Sequence, residues 1–68
     1  MNLGKNVKNL REGKNITQKE LADEVGVTQS MLNQIEKGVK IPSLATALDI
    51  AKVLDTTVDY LTYNEVAS

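Results

Sequence analysis

Four polar side chains suited to reading the edges of nucleic-acid bases lie close together in the sequence, namely Gln29, Ser30, Asn33 and Gln34. Spacings of three and four residues place such side chains on one face of an α-helix. A carboxamide carries a donor beside an acceptor, and it can pair bidentately with adenine N6 and N7 in the major groove of DNA. The chemistry predicted for this face is therefore recognition by hydrogen bonds.

The predicted face also contains Lys37, and it contains no acidic residue. A polar helix face is usually only a solvated surface, which is the simplest alternative. Solvated faces are normally rich in glutamate, lysine and arginine, which favour solubility and pairing at i,i+4. Three amides and a serine in their place favour a recognition surface.

The helix before this face has a complete start signal. Thr17 and Glu20 form the T-x-x-E pattern of a capping box, in which each side chain binds a free backbone N–H near the other residue. Ile16 and Leu21 stand at the positions of a hydrophobic staple. Gly26 ends this helix, helix 2, because glycine adopts the left-handed conformation without a Cβ clash.

The recognition face belongs to the next helix, helix 3. Thr28 predicts its N-cap, and Val27 with Leu32 repeats the staple. Gly38 ends helix 3 after Lys37. Two helices joined by a short turn that contains glycine form a helix-turn-helix, whose second helix enters the major groove of DNA.

Three further helices are predicted around this pair. An apolar stripe at helical spacing predicts helix 1 over residues 2–13. Ser43 caps helix 4, which is apolar over most of its circumference to about Leu54, so we expect it to be buried as the core. Thr57 caps a short helix 5, and residues 64–68 are predicted to be a fraying tail.

The composition narrows the class of protein. At 68 residues the chain is predicted to be one small domain. It contains neither cysteine nor histidine, which removes disulfides, thiolate metal sites, the commonest metal ligand and the usual general base. We therefore expect no enzymatic activity, no cofactor and no metal. The apolar runs are too short for a membrane span or a signal peptide, so we expect a cytoplasmic protein.

The charge is unevenly distributed along the chain. The net charge is −1, which by itself argues mildly against binding to phosphates. Residues 1–40 hold seven basic and five acidic groups, whereas residues 41–68 hold one basic and four acidic groups. This polarity suits a molecule that presents one side to a polyanion.

One stretch of the chain reads TQKELADEVGVTQSMLNQIEKG and is followed by Pro42-Ser43-Leu44. It resembles the Cro and lambda-repressor type helix-turn-helix family, also called XRE-like. The resemblance extends from Val7 to Leu61. It implies an all-α fold: a compact five-helix lambda-repressor-like DNA-binding domain with the helix-turn-helix at helices 2 and 3. We expect this domain to occupy residues 1–63, with the tail after it, in a prokaryotic or phage protein.

The resemblance also implies roles for individual residues. Gln18 would contact a DNA phosphate, while Gln29, Ser30 and Gln34 would read bases. Residues near the N-terminus of a recognition helix reach furthest into the groove, so we add Asn33 to the base-reading set. From the positions of the helix starts and of the cations we predict phosphate contacts at Gln18, Thr28, Lys37 and Lys40. The family pairs an arginine of helix 1 with the glutamate that ends helix 3, which implies an ion pair between Arg11 and Glu36. We expect this pair to be structural.

The family usually binds operator DNA as a symmetric dimer. Since the loop after Gly38 offers only Lys40 as a cation, a single domain should bind weakly at physiological salt, and we expect a homodimer on double-stranded DNA. The candidate dimer residues are Ile41, Val58, Tyr60 and Tyr63. The alternative is that these four simply complete the core.

Three functions are compatible with these observations. The first is a sequence-specific transcriptional regulator, most simply a repressor, which binds a palindromic operator as a homodimer. The second is an antitoxin or controller protein that also binds a protein partner such as a toxin or an antirepressor. The third is an adaptor that keeps the fold and binds only proteins.

Overall fold

The computed structural model describes residues 2–63, and this part of the chain contains five α-helices and no strand. In chain order the helices are α1 (Leu3–Gly13), α2 (Gln18–Val25), α3 (Gln29–Glu36), α4 (Leu44–Val53) and α5 (Val58–Leu61). The all-α, five-helix fold predicted above is confirmed. The predicted tail at residues 64–68 lies outside the described residues, so the domain boundary stays a prediction.

The start of α2 is fixed by the capping box. The backbone N–H of Thr17 donates to Glu20 Oε1 at 2.8 Å, and the backbone N–H of Glu20 donates to Thr17 Oγ1 at 3.0 Å. Gly26 then takes a φ of +83°, which ends the helix in the left-handed conformation. Local chemistry at both ends therefore determines the length of α2.

Hydroxyl side chains also cap the three helices that follow. Thr28 accepts from the backbone N–H of Met31 at 3.0 Å, and Ser43 accepts from that of Thr46 at 3.2 Å. Thr57 performs the same function for the short α5. Each cap satisfies a backbone donor that has no partner within its own helix.

The core collects side chains from all five helices. Its fully buried members are Val7, Leu21, Leu32, Ile35, Ile50, Leu54 and Leu61. Helix α3 packs against α1 and α2, and α4 packs against α2 and α5. The buried side of α3 therefore fixes which of its residues face outward.

The expectation that helix 4 is buried all round is wrong. Its inner side is buried at Ala47, Ile50 and Ala51, but Leu44 is 68% exposed and Leu48 is 47% exposed. Apolar residues on every side of a helix are buried only where neighbouring elements surround it. Among residues 2–63, α4 packs chiefly against α2 and α5, and Leu44 and Leu48, four residues apart, form an outward stripe.

Removal of the cap hydroxyl of α2 should lower the stability of the domain. We expect Thr17→Ala to reduce the free energy of unfolding by about 1 kcal/mol, because the backbone N–H of Glu20 loses its acceptor. Thr17→Ser keeps the oxygen and serves as the control. Urea denaturation of the three proteins measures the difference, and equal midpoints for Ala and Ser would contradict this role of the cap.

Candidate nucleic-acid interface

The predicted recognition residues lie on the outward side of α3. Gln29 and Ser30, in its first turn, are exposed, while Asn33 and Gln34 are half-buried one turn later. Leu32 and Ile35 occupy the opposite, fully buried side. The four polar side chains thus form a continuous surface that begins at the N-terminus of α3, the end that reaches deepest into a groove in helix-turn-helix docking.

A buried ion pair joins α1 to the end of α3. Arg11 Nε donates to Glu36 Oε2 at 2.7 Å, and Arg11 Nη2 lies 3.1 Å from Glu36 Oε1. The side chain of Arg11 is 11% exposed and that of Glu36 is 3% exposed. This fork-shaped arrangement is the geometry in which a guanidinium binds a carboxylate most strongly.

Two further hydrogen bonds complete the arrangement. Arg11 Nη1 donates to the carbonyl oxygen of Ile16 at 2.8 Å, which ties α1 to the segment before α2. Gln18 Nε2 donates to Glu36 Oε1 at 3.0 Å, which ties α2 to α3. The hydrogen bond to Glu36 raises the pKa of Arg11, against the opposing effect of burial, and the attraction of Glu36 and Glu12 raises it further. The guanidinium therefore remains charged, and we call this cluster of Arg11, Gln18 and Glu36 the Glu36 cluster.

A shallow groove of about 280 Å³ lies above the Glu36 cluster. It is lined by Lys8, Arg11, Gln18, Asn33, Glu36 and Lys37. Gln18, Asn33 and Lys37 were predicted from the sequence as contact residues, and the fold brings these three together. Each lines the groove at the junction of α1, α2 and α3.

Lys8 also lines this groove, and the sequence interpretation did not name it. It is exposed and lines the groove from α1. A signal was present in the sequence, because Lys8 precedes Arg11 by three residues and therefore shares its helix face. Its proximity to Lys37 depends on how α1 crosses α3, which local spacing does not predict.

Among residues 2–63, the side chain of Gln18 makes one hydrogen bond, to Glu36, and its Nε2 group carries a second hydrogen. One hydrogen of its Nε2 group is directed to Glu36, and the side chain is only half-buried. A primary amide has two donors, so the same nitrogen can serve Glu36 and an external acceptor at once. A phosphate oxygen is such an acceptor.

Thr28 and Lys40 lie elsewhere on the surface. Thr28 is exposed at the start of α3, where its oxygen already accepts the Met31 N–H. Lys40 is exposed in the loop after α3 and borders two hollows on either side of that loop. It is not among the residues that line the groove, so its predicted phosphate contact would be made at a separate position.

The four candidate dimer residues do not share one surface. Ile41 is 74% exposed beside the loop hollows, whereas Tyr60 and Tyr63 border a polar groove beside Asn2 and Asn9 of the α1 side. Val58 is half-buried and packs against the core, as the alternative interpretation of these residues expected. Other large apolar side chains that are exposed in the described residues are Val39, Leu44 and Leu48.

Comparison with known proteins gives the same pattern over nearly the whole chain. A helix-turn-helix family model matches residues 7–61. An uncharacterized HTH-type transcriptional regulator of Bacillus subtilis, YqaE, is 35% identical over 60 residues, which are 88% of this chain and 52% of that protein. The chain thus spans about half of the length of that relative. In residues 2–63 no helix is long and apolar enough to cross a membrane.

Solved structures agree with the fold. The P22 c2 repressor in complex with a synthetic operator matches with a TM-score of 0.85 and 28% identity, over 90% of this chain and 92% of that one. The SinR protein, solved in complex with the SinI protein, matches with a TM-score of 0.86 and 31% identity. That match covers 93% of this chain and 62% of the other.

Separation of the buried ion pair should be much more harmful than loss of an exposed one. We expect Arg11→Met to lower the free energy of unfolding by about 3–5 kcal/mol, because it leaves the Glu36 carboxylate buried without its cation. The control is Lys19→Met, which removes the exposed pair between Lys19 and Asp23 and should cost no more than about 0.5 kcal/mol. Urea denaturation measures both, and similar losses for the two variants would contradict a buried, structural Glu36 cluster.

Proposed function

The chain belongs to the helix-turn-helix family, and from this premise we propose that it is a sequence-specific transcriptional regulator. In this proposal it is a repressor that binds a palindromic operator as a homodimer and places α3 in the major groove. The observation that carries this proposal is the polar outer side of α3 above the Glu36 cluster. A buried ion pair anchors the helix while its outward side carries amides in place of the usual charges. The arrangement is suited to presenting hydrogen-bonding groups at a fixed angle.

Base recognition is assigned to Gln29, Ser30, Asn33 and Gln34. Gln29 and Ser30 stand in the first turn of α3 and are its most exposed members of this set. Glutamine and asparagine amides match the N6 donor and N7 acceptor of adenine, so we expect adenine–thymine pairs within each half-site. Serine binds several bases and adds less discrimination.

Phosphate binding is assigned to a second set: Gln18, Thr28, Lys37 and Lys40, with Lys8 added from the groove. Gln18, Lys8 and Lys37 all line the groove above the Glu36 cluster, and the amide of Gln18 and the two ammonium groups are donors for a phosphate. Arg11 contributes little of its charge, since Glu36 neutralises it at 2.7 Å. The cations of this surface are few, so the salt dependence of binding should be modest for each subunit.

A homodimer compensates for the small number of phosphate contacts. Two-fold symmetry would place two α3 helices in successive major grooves, with half-site centres about 34 Å apart or a multiple of that. Ile41 is the best supported of the candidate dimer residues. It protrudes between hollows of about 250 and 320 Å³, and a protruding side chain next to a hollow is the self-complementary shape that a two-fold interface needs.

The second candidate function is that of an antitoxin or controller protein, or an adaptor, whose principal ligand is another protein. The exposed stripe of Leu44 and Leu48 on α4 favours it, because such side chains mark contact surfaces when they are contiguous with other apolar groups. The resemblance of this chain to SinR, which was solved in complex with the SinI protein, is a further argument for this second function. A flat salt response of binding to random DNA would favour the adaptor over the regulator.

The most direct test of the proposed function is selection of bound sequences from random double-stranded DNA by the purified protein. We expect an enriched palindrome with adenine-rich half-sites spaced by one helical turn or a multiple. A failure to enrich any sequence would contradict the proposal. A single asymmetric site would contradict the homodimer and leave base recognition by α3 in place.

Truncation of one recognition amide should change the sequence preference of the protein. We expect Gln29→Ala to lose discrimination at one position in each half-site, at a cost of about 1–3 kcal/mol for the selected operator. Asn9→Ala removes an exposed amide from α1 and is the matched control. Titration of a panel of operator variants measures this, and an unchanged preference in Gln29→Ala would refute the assignment of the recognition face.

Truncation of a phosphate-binding lysine should weaken binding to all sequences about equally. We expect Lys8→Ala and Lys40→Ala each to reduce the slope of log K against log salt by about 1, since one fewer counterion is released. Lys52→Ala, on the exposed side of α4, is the control and should leave the slope unchanged. An equal effect of all three substitutions would mean that only total charge matters and would contradict the assigned positions.

A further inference from the structure

Gly4 lies at a close approach between α1 and α3. It is buried in the first turn of α1. A Cβ added to Gly4 would stand 2.7 Å from the carbonyl oxygen of Glu36 and closer still to that of Ile35. Both neighbours are backbone atoms of the last turn of α3, so neither can rotate aside as the end of a side chain could. Only a residue without a Cβ allows the two helices to approach this closely.

Glycine has no local reason to occupy this position. It is a poor residue inside a helix because it loses the most backbone freedom on folding. The second glycine of α1, Gly13, has no atom within 4 Å of its added Cβ. The two glycines share a helix and differ in their surroundings, so the packing of Gly4 can be tested separately from helix propensity.

The close approach involves the same turn of α3 that holds the Glu36 cluster. Gly4 touches the backbone of Ile35 and Glu36, while Arg11, two turns further along α1, holds the Glu36 carboxylate at 2.7 Å. A helix held at one point can pivot about that point. The two contacts lie two turns apart on α1 and meet the same turn of α3, so together they constrain the distance between the helices and the line along which α1 crosses the end of α3.

We propose that Gly4 is a positioning residue for base recognition, which sets the angle of α3 and so the reach of its amides. This inference rests on the proposed function, because its consequence is measured on DNA. An alanine at position 4 would force α1 away from the end of α3 and tilt the recognition helix. Binding that depends on exact base contacts should then fall more than binding that depends on phosphates alone.

The test compares Gly4→Ala with Gly13→Ala. Affinities for the selected operator and for random DNA are measured at one salt concentration, at a temperature where each variant is folded by circular dichroism. We expect Gly4→Ala to lose tenfold or more in operator affinity and less than twofold for random DNA. We expect Gly13→Ala to change neither. Equal fold losses on both DNAs in Gly4→Ala would overturn the inference, because the ratio of operator affinity to random-DNA affinity would then be unchanged. No loss on either DNA would overturn it as well.

Two additional measurements keep the inference testable if Gly4→Ala is unstable or if the chain binds no DNA. The double variant Gly4→Ala/Gly13→Ala should regain stability from the second alanine while it keeps the altered operator ratio. If Gly4→Ala is unfolded in both backgrounds, glycine is needed for folding and the positioning role is refuted.

The third readout needs no DNA. The Nε–Hε signal of Arg11 in a nitrogen–proton correlation spectrum should shift in Gly4→Ala and stay in place in Gly13→Ala, since only the former disturbs the bond to Glu36. A shifted signal in a protein that selects no operator would refute the proposed function and keep the helix geometry. An unshifted signal would refute the geometry itself.

Discussion

The carboxylate of Glu36 is the group on which the mutual arrangement of α1, α2 and α3 depends. It is 3% exposed and accepts hydrogen bonds from Arg11 on α1 and Gln18 on α2. A buried charge without partners costs several kcal/mol, so the three helices meet where the donors can reach it. An apolar contact surface tolerates small slips and rotations, whereas a forked ion pair has one good geometry. The Glu36 cluster therefore adds a directional constraint on α3 to the non-directional packing of the core.

The anchor of α3 and its proposed recognition surface depend on different interactions. Leu32 and Ile35 pack α3 against the core, and Glu36 holds its end. The outward amides of α3 are therefore not needed for its packing. Amides contribute direction without charge, so they add discrimination and little general attraction to DNA. A chain of net charge −1 is consistent with this division. Its affinity for a given operator would come from base contacts and from pairing of subunits.

Most of the fold could be predicted from the sequence because the signals that set it are local. Thr17, Glu20 and Gly26 fix α2 within a few residues of themselves, and the hydroxyl caps of α3, α4 and α5 act in the same way. The features that escaped prediction depend on how helices cross. These are the exposed side of α4 at Leu44 and Leu48, the place of Lys8 in the groove, and the approach of Gly4 to α3. Helical spacing shows which residues share a side of a helix, but it does not show which other element packs against that side.

The end of α3 connects the two halves of the proposed mechanism. Gly4 and Arg11 hold this end through Ile35 and Glu36, and the chain then turns at Gly38, with a φ of +79°, toward Ile41. If Ile41 contacts a second copy, the distance from the dimer axis to the recognition amides spans only this short, constrained segment. An error in the angle of α3 would then displace the recognition helix of each subunit, because symmetry repeats it in both. Rigid attachment of the end of α3 thus matters more for a dimer that binds a palindrome than for a monomer that binds a single site.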